Sequence, residues 1–152
     1  MALTNVFQPT TANELIDRIN KLQSNSQPKW GKMSVDQMLA HCNVTYEMIY
    51  TDKHPQPNFL MKLILKTFVK NVVVNEKPYK HNSATAPQFI ISDHRNFEEE
   101  KSRLTAYILQ VSKEGEAAFS GKESKSFGNL SSTEWNNMLY KHLDHHLTQF
   151  AV

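Results

Sequence analysis

Glycine is scarce, cysteine nearly absent and neither sign of charge dominates, and each shortage closes a line of interpretation. The 4 glycines form no phosphate-cradling loop, and no Gly-x-Ser-x-Gly elbow of a serine hydrolase occurs. A single cysteine, Cys42, cannot form an internal disulfide. With 17 basic and 15 acidic residues the net charge is +2, too weak a field to predict nucleic acid as a partner.

Long apolar runs are missing as well. The longest, near Leu60, is interrupted by Lys62, Lys66 and Lys70, so nothing approaches the roughly 20 apolar residues that cross a bilayer. The start Met-Ala-Leu-Thr-Asn has neither the basic region nor the apolar core of a secretory signal. A cytoplasmic protein without membrane or nucleic-acid partners is the expectation. Its 152 residues suffice for one domain, 1–152, with a full hydrophobic core, and are too few for two.

What the chain does have is three-four apolar periodicity behind recognisable helix starts. Thr11 and Glu14 form a capping box for a first helix with Leu15, Ile16, Ile19 and Leu22 inward, ending near Ser24. Ser34 and Gln37 form a second box. The helix behind it carries a wide buried face that includes Met38, His41, Cys42, Thr45 and Met48, and it stops before Asp52.

Pro55 and Pro57 make a turn, and helix resumes after Asn58. From Phe59 to about Val69 the segment is expected to be buried, with Lys62, Lys66 and Lys70 as its solvated edge. Those cations are too few for a membrane-surface helix. Residues 72–74 suit an extended conformation, and 75–88, with Pro78 and Pro87, is a long connection of the kind that covers a pocket. Ser92 or Asp93 caps a third long helix, with Phe97, Leu104, Ile108 and Val111 inward and Glu98, Glu99, Glu100, Lys101 and Arg103 in water. A polar, glycine-punctuated stretch, 115–129, precedes a third box, Ser131 with Glu134, and a final helix. The pattern predicts an all-α four-helix bundle with a long crossover, an additional short helix and long connecting loops.

The 7 histidines are not equivalent. His54 and His81 fall in polar loops and His94 in the first turn of a predicted helix, so these three are expected in solvent. His41 is in phase with Met38, Thr45 and Met48 and points inward. Taken alone it suits a hydrogen-bonded core residue. His142 and His146 lie one turn apart, about 6 Å along the axis, on the core-facing stripe of the last helix that also carries Gln149.

Three neutral imidazoles from two helices satisfy one another through a divalent ion with coordination positions left open, so His41, His142 and His146 are the candidate metal ligands. His145 competes with His146, and Asp144 or His145 is a candidate to orient a ligand from behind. Zinc, nickel, cobalt and iron all accept such ligands; zinc and nickel lead. Cys42 follows His41, and adjacent helical positions point about 100° apart, so it is assigned to the core. No second catalytic group, such as a paired carboxylate, is assignable.

Three strings carry a family resemblance: Lys29-Trp-Gly-Lys-Met-Ser-Val-Asp-Gln-Met-Leu-Ala-His41, Phe127-Gly-Asn-Leu-Ser-Ser-Thr-Glu-Trp135 and His142-Leu-Asp-His-His146-Leu-Thr-Gln-Phe150. They resemble the DinB/YfiT-like superfamily of putative metalloenzymes, and within it a subfamily labelled a domain of unknown function. The resemblance implies an up-down-down-up four-helix bundle, a homodimer, and a divalent metal held by one histidine of the second helix and two of the last, which here are His41, His142 and His146. Relatives in that superfamily include thiol S-transferases that use bacillithiol or mycothiol, a maleylpyruvate isomerase and proposed metal-dependent hydrolases. The implied activity is metal-dependent transfer of a low-molecular-weight thiol to an electrophilic small molecule, or activation of water against one. The alternative is a non-catalytic bundle that binds a metal or ligand in a structural or stress-related role.

Overall fold

The computed structural model describes residues 2–152; Met1, the first residue of the expected domain, lies outside the described residues. The chain is mostly helical, as expected. In chain order the helices are α1 (Pro9–Asn20), α2 (Val35–Tyr50), α3 (Phe59–Ile64), α4 (Lys70–Val74), α5 (Phe97–Phe119) and α6 (Ser132–Gln149). A π-helical turn, Leu65–Val69, joins α3 to α4, and a short antiparallel hairpin of β1 (Glu123–Ser124) and β2 (Gly128–Asn129) precedes α6. Helices α1, α2, α5 and α6 pack on one another around a core that includes Leu15, Ile19, Met38, Leu104, Leu139 and Leu143. Each such side chain contributes about 1.5–3 kcal/mol by leaving water.

Two of the three predicted capping boxes form. Ser34 with Gln37 and Ser131 with Glu134 each make both reciprocal bonds. The Thr11 box does not form. Pro9 suits the first helical position, where its fixed φ is pre-organised and its missing N–H is not needed, so α1 starts three residues earlier and Thr11 is buried inside it. The helix also ends at Asn20, before the expected Ser24.

Neither Ser92 nor Asp93 caps α5; Asn96 does, its side chain accepting from Glu99 N at 3.1 Å. Arg95 N is held outside the helix by Asp36 Oδ2 at 2.7 Å, which explains the later start. At the other end Gly115, with φ +74°, kinks the chain and lets helix continue to Phe119 through a stretch expected to be loop. The Phe119 ring is fully buried against Phe7 and Trp135.

The segment from Phe59 to Val74 reverses two expectations. Residues 72–74 are helical, and most of the outer apolar face lies in water: Leu60, Ile64, Phe68 and Val72, an i, i+4 row, are 65%, 41%, 74% and 56% exposed. The segment is suspended from α6 by its C-terminal end. Lys141 Nζ donates to the carbonyls of Val72 and Asn75 at 2.7 Å each, and Asn137 Nδ2 donates to Val74 O at 2.9 Å. These bonds satisfy carbonyls that a helix end leaves without partners.

Glu100 is buried as well, contrary to its expected place in water. It accepts from Asn43 Nδ2 and Arg103 Nη1, each at 2.8 Å. Arg103 also reaches the buried Glu47, as do Lys53 at 2.9 Å and His54 at 2.6 Å. His54 is therefore tucked in rather than solvent-facing, with 15% of its side chain exposed. Burial alone would raise the Glu47 pKa, but its hydrogen bonds with Lys53, His54 and Arg103 bring it down to about 2.

A carboxylate depressed from 4.5 in the unfolded chain to about 2 stabilises the fold fully above pH 4.5, by about 3 kcal/mol, and that gain is lost as pH falls toward 2. Thermal melts of wild type should therefore show stability falling across that window. Glu47→Gln should lower the melting temperature at pH 7 and flatten the decline between pH 4.5 and 2; an unchanged acid limb would contradict the assignment.

Candidate metal centre

His41 projects from α2, and His142 and His146 from successive turns of α6, which packs against it. Their ring centroids are 4.9 Å (His41–His142), 4.6 Å (His41–His146) and 4.9 Å (His142–His146) apart. One nitrogen from each ring lies within 4.8 Å of the other two, a group that could hold a metal ion. His41 and His146 are buried and His142 is partly exposed.

The outer ring nitrogens settle the tautomers of two rings. His41 Nδ1 is 2.8 Å from the carbonyl of Phe89, which only accepts, so Nδ1 carries the proton. His146 Nδ1 is 2.8 Å from Gln149 Oε1, and Gln149 Nε2 donates to Trp30 O at 2.6 Å, which fixes the amide orientation. His146 therefore also carries its proton on Nδ1, and both rings turn an Nε2 lone pair inward. His142 Nδ1 meets the Thr45 hydroxyl at 3.1 Å, a group able to donate or accept. Its Nε2 is 2.9 Å from His41 Nε2, within reach to donate to that lone pair.

Gly31 makes the Gln149 bond sterically feasible. Its φ is +81°, and a Cβ there would lie 2.7 Å from Gln149 Nε2. Carbonyl and amide backing of this kind orients ligating histidines in metal sites.

Burial lowers the pKa of all three imidazoles. His146 is brought down to about 3 by desolvation and then by the His41 ring, with its bond to Gln149 opposing. Desolvation and the surrounding imidazoles push His142 well below the usual range. Desolvation also lowers His41, against the Phe89 carbonyl. All three are neutral at pH 7, the state in which imidazole ligates metals.

The other candidates are not part of this group. His145 lines the same cavity with its ring centroid 5.0 Å from that of His146, and it also packs beside Trp30 and Tyr79, each 5.7 Å away. Asp144 pairs with Arg18 at 2.8 Å and orients no histidine. His81 is exposed, its ring stacked on Trp30 at 3.8 Å, and His94 is exposed ahead of α5. Cys42 is buried with Sγ 3.8 Å from Met38 Sδ, and burial pushes its pKa up.

A cavity of 820 Å³ opens beside the imidazoles. Met48, Ile49, Leu65, Val69 and Phe127 give it an apolar lining, and residues of the 77–91 connection cover it, as expected of a long loop. No aspartate or glutamate lines it among the described residues.

Of the groups that back the histidines, Thr45 and Gln149 were visible in the sequence as inward-phase neighbours at i+4 from His41 and i+3 from His146. The Phe89 carbonyl and the Gly31 approach were not, since a backbone group in a long connection leaves no mark in side-chain periodicity. In ¹⁵N-edited imidazole spectra of the metal-free protein, His41 and His146 should appear as Nδ1–H tautomers and His142 as Nε2–H. An Nε2–H signal from His146 would break the arrangement.

No curated protein and no solved structure matches the chain. Residues 4–152, which carry the four core helices and all three imidazoles, match the family model described as protein of unknown function (DUF1569), and the chain belongs to that family.

Proposed function

We propose that His41, His142 and His146 hold one divalent metal ion through their Nε2 atoms, and that the protein is an enzyme transferring a low-molecular-weight thiol to an electrophilic small molecule. The observation that carries the reading is the disposal of the outer nitrogens. Phe89 and Gln149 take the Nδ1 protons of His41 and His146, which leaves lone pairs converging on one point from two helices. Zinc or nickel bound there supplies Lewis acidity, which lowers the pKa of a thiol or water.

The cavity favours thiol over water. Hydrolysis calls for a general base near the nucleophile, and no carboxylate lines the cavity among the described residues. A thiol needs less help, since its proton leaves more readily to solvent before sulfur attacks carbon and the leaving group departs with its electron pair. Met48, Ile49 and Phe127 offer an apolar bed for the electrophile's body and exclude water from the attack.

Helix order and histidine placement also support reading this family as part of the DinB/YfiT-like superfamily: one domain folded as an up-down-down-up bundle, cytoplasmic and homodimeric. The same lack of a carboxylate in the cavity lining among the described residues favours a second reading, a non-catalytic bundle that binds a metal or small ligand.

Elemental analysis of protein purified without an affinity tag should find about one zinc or nickel per chain. His146→Ala should lose it and His145→Ala should keep it; unchanged metal content in His146→Ala would reject the ligand set. Metal-loaded protein should then consume thiol in a screen of low-molecular-weight thiols against electrophiles, with His41→Ala inactive. Uniform inactivity of the loaded wild type would favour the binding bundle.

A further inference from the structure

The outer wall of the cavity carries a surface that the fold does not use. Across α3, the π-helical turn and α4, three side-chain rows run at i, i+4 spacing. Leu65, Val69 and Val73 line the cavity, Lys62, Lys66 and Lys70 form a cationic row, and Leu60, Ile64 and Phe68 stand in water, a row continued by Val72, which is 56% exposed and also borders the cavity. Phe59 and Leu63 widen the outer face, at 84% and 52% exposure. In a straight α-helix i, i+4 rows drift around the axis. The π turn, with more residues per turn, offsets part of that drift, so that the outer row reaches the cavity edge only at Val72.

We propose that this outer face is a membrane-surface helix that docks on an anionic phospholipid bilayer. Charge decides the occupant. Between positions 53 and 80 stand six lysines and one acidic residue, Glu76, although the whole chain is only +2. Lys53 and Lys70 are paired with Glu47 and Glu134, while Lys62, Lys66, Lys77 and Lys80 stand outside the ion pairs of the described residues. A lysine row beside a Phe- and Leu-rich face suits a helix lying in the headgroup region. The lysines flanking the helix supply the cations that its own row lacks.

A second copy is the less complementary occupant. In a two-fold interface the same patch meets itself, which would bring lysine row against lysine row with no carboxylate between residues 53 and 75 to pair them. Crossing the bilayer is not at issue, for no helix among the described residues is long and apolar enough.

The test uses full-length protein and sedimented vesicles of phosphatidylcholine alone or mixed equally with phosphatidylglycerol, at moderate salt. Wild type should sediment with the anionic vesicles and far less with phosphatidylcholine. Leu60→Ser with Phe68→Ser should reduce binding by about tenfold or more. Each of Lys62→Gln and Lys66→Gln should weaken it about fivefold. Leu60, Lys66 and Phe68 are exposed and Lys62 partly so, and an unchanged circular dichroism melt verifies the fold of each variant. Wild type remaining in the supernatant with anionic vesicles would overturn the proposal. So would light scattering that shows a dimer abolished by the Leu60/Phe68 variant without vesicle binding, which would assign the face to a second copy.

Discussion

A buried imidazole has two nitrogens to satisfy, and three such rings side by side cannot all be cations. That constraint organises the surroundings of His41, His142 and His146. Phe89 answers it with a carbonyl, Thr45 with a hydroxyl and Gln149 with an amide whose other end is held by Trp30. Each partner belongs to a different part of the chain, so the 77–91 connection, α2 and the loop around Trp30 are all drawn toward one point. The cavity exists because those pieces meet around the rings without filling the space beside them.

Helix α6 distributes the remaining attachments over its other faces. Asn136 accepts from Val6 N at 2.7 Å, and Asp144 and Thr148 hold Arg18, which also reaches the Val152 carbonyl. Asn137 and Lys141, one turn apart, carry the end of α4. Burial draws the Lys141 pKa down to about 8, yet its Nζ has three oxygen acceptors and lies 4.6 Å from the centre of the Tyr79 ring. That set matches the three donors of an ammonium and its attraction to an aromatic face, so the charged form is the one the site is built for. The cavity wall and the imidazole pair thus hang from the same helix, on different faces of it.

Local signals make the helices and the histidine cluster legible, while long-range pairing leaves no local mark. Ser34 and Ser131 were legible as caps because their partners lie three residues away; Thr11 misled because Pro9 supplied an earlier start. His41 and His142 share no local pattern, but each lies on the inward stripe of its own helix, and that was enough to bring them together. Glu100 looked like one more charge in a solvated run, since nothing nearby announces that Asn43, 57 residues away, will bond it. His54 looked exposed for the same reason, its partner being the buried Glu47. The segment after Asn58 is apolar yet largely exposed, because burial needs a neighbouring element to pack against as well as apolar content.

Cys42 gives the chain a final property. Its sulfur is sealed in the core, against Met38 and away from the cavity lining. The protein therefore has no thiol of its own to offer to a substrate. Under the thiol-transfer reading, every equivalent of nucleophile arrives as a free solute, so the rate follows the abundance of that solute.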